Sequence, residues 1–338
     1  MPRGGQQRDV WLGLALALGG LLAMGTAVLG PTVALSHQES RRGALAPTAS
    51  PTRLLTPTWE ATSPEATATH SAAAPAEGTA TLAATLVPTP SPQATPEPPL
   101  LPTPDGQARV AHVPILMYHY VGEDPPDADA IRLDLTVPPD RFEAQLAYLR
   151  QAGYTSITLE DLVLYLTTGR PLPEKPIIFT FDDGYLDNFL YAFPLLRQYG
   201  FGGTFFVVTQ FLDEGRAGYM SWQQARLMQA NGMEIESHGV SHEDLAGAPA
   251  EFVAEQLKAS RARIEKELGK PVRFFAYPYG SYDRRTVEAL QSAGYWAAVT
   301  TEGGAVHSSD GLFTLRRVRV HGSHGLDRFV ATLDYYLR

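Results

Sequence analysis

Four side chains in two short stretches carry the chemistry open to this sequence. Asp182 and Asp183 stand together in Thr180-Phe181-Asp182-Asp183-Gly184, directly after the apolar run Ile177-Ile178-Phe179. His238 and His242 stand in Glu236-Ser237-His238-Gly239-Val240-Ser241-His242, just past a short strand pattern at Met233 to Ile235. Imidazoles four positions apart share one face of a helical turn and suit capture of a single divalent ion. Two imidazoles and one carboxylate leave positions on such an ion for water and substrate. The second carboxylate can then take a proton from water that the ion has acidified. Which aspartate is ligand and which is base stays open here. Either motif alone is weak, since Asp-Asp-Gly also makes ordinary turns and His-x-x-x-His also occurs as a surface pair. Together, each behind a strand, they point to a metal hydrolase.

Such a set needs strands that end at one place. Val113 to Tyr118 reads as a short apolar strand ending at His119, and Ile177 to Phe179 reads as a buried parallel strand ending at the two aspartates. Thr204 to Val208, Phe274 to Tyr277, Trp296 to Val299 and Leu315 to Val320 complete the strand patterns. Helical periodicity lies between them. Pro139-Asp140 opens one helix stopped by Gly153, Thr158 caps Leu159 to Thr168, and Asn188 to Tyr199 ends at Gly200. Ser221 caps Trp222 to Ala230, and a long amphipathic helix runs through Val253, Leu257, Ile264 and Leu268 to Gly269. Alternation of this kind means a parallel sheet, and about seven repeats point to a barrel, whose chemistry sits at the C-terminal strand ends.

The first third of the 338 residues is of another kind. Val10 to Leu29 is twenty residues without a charge, preceded by Arg3 and Arg8. That length spans a bilayer and exceeds a signal-peptide core of about 7–15 residues. The expectation for residues 1–35 is an uncleaved anchor with the N-terminus inside and the remainder extracytoplasmic; the alternative is a signal peptide cut after Ala27 or Ala34, giving a secreted protein. Residues 36–110 are rich in Pro, Thr, Ala and Ser, with 13 of the 27 prolines between Pro47 and Pro104. Such a composition buries too little apolar surface to offset its ordering entropy and reads as a disordered linker. As a coil it reaches roughly 50 Å.

The globular part is residues 111–338. Residues 1–110 hold six of the 27 basic and seven of the 36 acidic side chains, which leaves 21 and 29 here and a net charge of −8. That argues against nucleic acid as a partner, and no protein partner is indicated. There is no cysteine, so disulfides and thiolate chemistry are excluded.

The ordered set Thr180-Phe181-Asp182-Asp183-Gly184, His238-x-x-x-His242 and Tyr277-Pro278-Tyr279-Gly280 resembles the polysaccharide deacetylases, the carbohydrate esterases with a NodB homology domain. The likeness runs from about Val113 to Val320, and Met117-Tyr118-His119 resembles the branch acting on poly-N-acetylglucosamine. It implies a distorted (β/α) barrel of about seven parallel strands and hydrolysis of N-acetyl groups on a glycan with one divalent ion, zinc first, with cobalt, nickel or manganese also suited. It implies Asp183, His238 and His242 as metal ligands, Asp182 as general base, and the Tyr279 backbone N–H beside the oxyanion. Two departures stand out. Many members carry an arginine where this chain has Ala276, so Arg316 or Arg317 is expected to steady the base, and Arg316 is carried as the site residue. The late Leu-x-His acid of many members has only Arg319-Val320-His321 here, so His119 and His321 compete for proton donor, with His119 preferred for its place at a strand end. Of the aromatics near these loops (Tyr185, Trp222, Tyr279, Tyr282 and Trp296), Tyr279 and Trp222 are expected to contact sugar. The competing reading is an inactive member that binds surface glycan without turnover.

Overall fold

A computed structural model describes Leu101 and residues 103–338. The Val10–Leu29 span and nearly all of the 36–110 linker lie outside the described residues. Among the described residues, no helix is long and apolar enough to cross a membrane.

Seven parallel strands form the barrel: β1 (Ile115–Tyr118), β2 (Pro176–Phe181), β3 (Thr204–Val207), β4 (Glu234–Ser237), β5 (Phe274–Ala276), β6 (Ala297–Gly303) and β7 (Leu315–Arg319). Each pairs with the next in chain order, and β7 closes on β1 through Val318↔Leu116 and Arg319↔Met117. The expected barrel of about seven parallel strands is therefore present. Its distortion is local. A register shift separates Val299 from Gly303 in β6, and β4 meets β5 through the single pair Ser237↔Phe275. A further two-residue strand, Thr155–Ser156, adds to the outside of β2.

Helices α1 (Ala130–Leu135), α2 (Pro139–Gln151), α3 (Leu159–Thr168), α4 (Phe193–Tyr199), α5 (Thr209–Asp213), α6 (Trp222–Ala230), α7 (Ala250–Leu268), α8 (Arg284–Ser292) and α9 (Leu326–Leu337) fill the connections. Local chemistry places several of them. Thr158 and Asp161 exchange side-chain and backbone bonds in a capping box, and Gly169 ends α3 at φ 75°. Ser221 and Gln224 repeat the box at the start of α6. The segment expected as one helix from Asn188 starts instead as a π-turn, Asn188–Ala192, before α4. Residues 105–110, counted with the linker on composition, already carry contacts to the domain: Asp105 N–H donates to Thr167 O, and Val110–His112 pairs antiparallel with Val306–Ser308.

Strand alternation divides the core in two. Leu116, Phe179, Phe205 and Ala298 point outward against α2, α4, α6 and α7. Ile115, Ile178, Phe206, Phe274, Val299 and Leu315 fill the barrel with the apolar face of α3. Each such buried Leu, Ile or Phe contributes about 1.5–3 kcal/mol, and the domain stands on this without disulfides. Immediately before the aspartates, Phe181 stacks on Phe205 at 4.5 Å and on Tyr118 at 5.2 Å, which fixes the β2 terminus rigidly.

Candidate active site

The two aspartates leave β2 with different surroundings because successive residues of an extended chain point to opposite faces. Asp182 continues the interior face of Ile178 and Thr180 and is 2% exposed. Arg317 comes to meet it from β7, where Leu315 is already an interior residue and position 317 shares its face. Its Nη1 and Nη2 donate to Asp182 Oδ1 and Oδ2 at 2.8 and 2.7 Å, Nη1 also reaches Thr180 Oγ1, and Nε donates to Thr300 O. Burial pushes the Asp182 carboxyl up, but the charge and the forked bonds of Arg317 outweigh it and hold the group below its ordinary range, ionised at neutral pH.

Asp183 turns away into a left-handed backbone at φ 73°. Its Oδ1 is buried and accepts no hydrogen bond. His238 Nε2 and His242 Nε2 each lie 3.2 Å from it. His238 Nδ1 bonds Ala276 O at 2.7 Å, which assigns the donor to Nδ1 and turns Nε2 toward Asp183. One ligand atom from each of the three residues falls within 4.8 Å of the others. An orphaned carboxylate oxygen facing two imidazole nitrogens fits a divalent cation of borderline softness, and the nitrogen and oxygen donor set suits zinc and its neighbours. Despite burial, the two imidazoles hold the Asp183 carboxyl well below its ordinary range.

The histidine pair is not held by a helical turn, as its spacing implied. It lies in a loop after β4, in which Gly239 stands at φ 85° and His242 at φ 60°. The rings meet at 4.9 Å because the loop doubles back. Tyr279, at φ 60°, brings its ring 4.6 Å from His242 and is 67% exposed. Gly280 follows because a Cβ there would collide with Thr301. Among the described residues, Asp183, His242 and Tyr279 are the non-glycine residues with positive φ. Each such conformation costs on the order of 1–3 kcal/mol, and all three lie at this one site.

Two of the expected assignments change. Arg316 points out of the barrel, 55% exposed, and pairs with Glu302 at 3.5 Å; Arg317 takes the role given to it, because β7 alternates and Leu315 sets the phase. The period-two pattern Leu315-x-Arg317 was the signal that separates them. Trp222 is 8% exposed, donates Nε1–H to Asp213 Oδ1 and lies under Arg263, so it packs α6 against α5 and α7 rather than offering a face to sugar. The two candidate donors also separate. His119 Nε2 lies 3.9 Å from Asp182 Oδ2, and burial holds its pKa below that of a free imidazole. His321 Nδ1 is bonded to Asp134 at 2.9 Å, which gives it to α1.

The polysaccharide deacetylase family model matches residues 169–298, which hold both the Asp-Asp-Gly and the His-x-x-x-His motifs. YxkH of Bacillus subtilis (strain 168), a protein named for polysaccharide deacetylation, is 33% identical over 210 residues, 62% of this chain and 72% of that one. The chain belongs to the polysaccharide deacetylase family. The poly-beta-1,6-N-acetyl-D-glucosamine N-deacetylase of Staphylococcus aureus (strain MSSA476) is 25% identical over 202 residues, 55% of this chain and 68% of that one. Among solved structures, the Streptococcus pyogenes deacetylase PplD in complex with acetate superposes with a TM-score of 0.63 at 29% identity, over 67% of this chain and 99% of that one. This deacetylase thus shares sequence with a named N-deacetylase and its fold with a deacetylase solved in complex with acetate, and it is an enzyme of the polysaccharide N-deacetylase class.

Proposed function

We propose that the chain is a metal-dependent N-deacetylase of an N-acetylglucosamine-containing glycan, tethered to the cell membrane by Val10–Leu29 with its catalytic domain outside the cytoplasm. The observation that carries the chemistry is the pairing of two adjacent carboxylates with opposite partners. Asp183 Oδ1 faces two imidazoles and no donor, while both oxygens of Asp182 are forked by Arg317. A divalent ion held by Asp183, His238 and His242 supplies Lewis acidity to the acetamide carbonyl and lowers the pKa of water. Zinc is the first choice for this donor set, and cobalt, nickel or manganese also suit it.

Asp182 accepts the proton of the attacking water, and the Arg317 guanidinium keeps it ionised and aimed until then. The backbone N–H of Tyr279 stands as donor to the developing oxyanion. His119, 3.9 Å from Asp182, relays the proton that Asp182 has taken to the leaving nitrogen as the tetrahedral centre collapses to acetate and free amine. The intact base and its arginine favour turnover over glycan binding alone, because a binding protein has no use for a buried ionised carboxylate clamped beside a cation site.

The test is acetate release by the full chain from poly-N-acetylglucosamine, chitooligosaccharides and peptidoglycan, with and without chelator. Release from at least one glycan, lost with chelator and restored by zinc, cobalt, nickel or manganese, supports the reading. Release indifferent to chelator overturns the metal. Fractionation tests the tether: a soluble protein whose N-terminus begins after Ala27 or Ala34 would replace the anchor with a signal peptide.

A further inference from the structure

Of the three donors Asp183, His238 and His242, the last is placed differently from the others. Asp183 follows the end of β2 closely, and His238 follows β4 directly. His238 is also fixed by bonds of its own, Nδ1 to Ala276 O at 2.7 Å and backbone N–H to Val207 O at 3.0 Å. His242 comes four residues later in an irregular loop, and among the described residues no hydrogen bond reaches its Nδ1. Its ring is therefore placed by the loop backbone. That backbone passes through φ 85° at Gly239 and φ 60° at His242 to bring Nε2 to 3.2 Å from Asp183 Oδ1. A left-handed conformation at a residue other than glycine persists only where the surroundings over-determine it.

Two helices supply those surroundings. The first turn of α5 donates to the loop carbonyls, Thr209 N–H to Gly239 O at 3.2 Å and Gln210 N–H to Val240 O at 3.0 Å. The loop N–H groups turn the other way, to one side chain on α7. Gln256 Oε1 accepts from Val240 N–H at 2.9 Å and from Ser241 N–H at 3.1 Å, and Gln256 Nε2 donates to Ser241 Oγ at 3.0 Å. An amide oxygen offers two lone pairs, and the loop fills both. Gln256 is 5% exposed, where an amide is tolerated only if bonded, and all three bonds of its side chain go to this loop. Gly239 permits the approach, since a Cβ there would stand 3.3 Å from Gln256 Oε1.

We propose that Gln256 is a positioning residue of the metal site, setting His242 against Asp183 and His238 through the Val240 and Ser241 peptides; the proposal rests on the metal-dependent reading above. Its bonds go to the two residues before His242 rather than to an imidazole, so it acts through the loop. The α5 half of the clamp is backbone and survives a change of side chain. The α7 half is one amide, and there a single substitution loosens the site. Without Oε1 the two N–H groups lose their acceptor, and the left-handed turn at His242 loses the bonds that offset it. His238 keeps its own bond to Ala276 O, so the loss falls on one donor of the three.

The experiment uses the full chain, freed of metal, and reads zinc affinity by competition with a chromophoric chelator. Gln256→Met, similar in length but without acceptor or donor, should weaken zinc about 10–100-fold and shift the visible absorption of the cobalt-loaded protein. Gln256→Glu keeps an acceptor for both N–H groups and should recover most of the affinity. Leu257→Ala, the next residue of α7 and buried in apolar packing, is the control for destabilisation. It should lower the denaturation midpoint of the metal-free protein at least as far as Gln256→Met and still bind zinc as wild type does. Should Gln256→Met not fold, Gln256→Asn, a methylene too short to reach both peptides, takes its place with the same expectations. Wild-type affinity in that variant, an equal loss in Leu257→Ala, or no recovery in Gln256→Glu overturns the positioning role. If wild type binds no zinc, cobalt, nickel or manganese, the metal reading falls and amide hydrogen exchange decides the clamp alone. Faster exchange at Val240 and Ser241 in the Gln256 variant than in wild type keeps Gln256 as the residue that sets the histidine loop, and equal exchange overturns it.

Discussion

At the C-terminal end of the barrel Asp182 has both oxygens on Arg317; at the N-terminal end Glu236 is buried and Glu234 half-buried, and neither is bonded to a guanidinium. Strand β4 contributes to both ends, since Glu234 and Glu236 precede His238 on the same alternating face. Glu234 accepts Thr204 Oγ1, and Glu236 accepts the backbone N–H groups of Arg273 and Phe274. Arg273, the nearby cation, bonds Glu160 instead and stacks on Trp296. Burial therefore pushes Glu234 up to about 7 and Glu236 well above the carboxylate range, whereas Arg317 pulls Asp182 down. Burial is common to both ends, so the partner decides which carboxylate stays ionised and able to take a proton.

Four experiments break or sharpen this contrast. The largest effect belongs to Asp182→Asn, which removes the acceptor and should lower kcat by about 10²–10⁴ while bound metal stays at wild-type stoichiometry. Asp183→Asn should instead lose metal first. Metal analysis beside kinetics checks both, and exchanged phenotypes would reverse the roles of the pair.

Next comes the arginine. Arg317→Ala leaves Asp182 buried without its counter-charge and should cost about 3–5 kcal/mol of stability, read by chemical denaturation. The acid limb of the rate–pH profile should also move to higher pH. Arg316→Ala, on the solvent side of the same strand, should stay within about 0.5 kcal/mol. Similar losses from both would mean that the clamp is not specific.

The histidines give the third. His119→Ala should depress kcat about 100-fold with metal retained, and His321→Ala, which loses the bond to Asp134 on α1, should leave kcat near wild type. A kcat loss confined to His321→Ala would hand the proton to the late histidine.

The smallest effect is at the other mouth, and its sign is opposite. Because the folded state raises Glu234 to about 7 from 4.5, it holds more protons than the unfolded chain between those values. Its contribution to stability is present in full below about pH 4.5 and fades as pH rises through 7, by no more than about 3 kcal/mol. Asp182 works the other way, stabilising above its unfolded value of 3.8 and failing as pH falls through its lowered folded value. Thermal melts of Glu234→Gln between pH 5 and 8 should be flatter than wild type; parallel curves would show that the group does not titrate there.

Much of this molecule is decided locally. Thr158 with Asp161 and Ser221 with Gln224 set helix starts within four residues, and Gly169 and Gly200 set helix ends, so α3, α6 and the end of α4 follow from sequence alone. The alternation of strand and helix patterns was enough for a parallel barrel, and the Asp-Asp-Gly and His-x-x-x-His motifs named the three donors later found within 4.8 Å. Arg317 was legible in principle through the phase of Leu315, though not through motif matching, since the expected arginine position is Ala276.

What the tertiary structure alone decided are contacts between distant segments. Position 317 reaches position 182 because β7 closes the barrel on β1, next to β2, a contact across 135 residues that no local pattern encodes. The same closure gave His321 to Asp134 and left His119 beside the base. Trp222 was lost to packing because Asp213 and Arg263 from two other helices enclose it. The loop that doubles back through a left-handed His242, in place of a helical turn, is held from α7, where Gln256 Oε1 accepts the Val240 and Ser241 N–H groups, and this offsets the strain at His242. Residue types and local spacing determined the chemistry and most helix boundaries; closure of the sheet determined which charges meet, because each interaction there depends on strand order and phase rather than on neighbours in sequence.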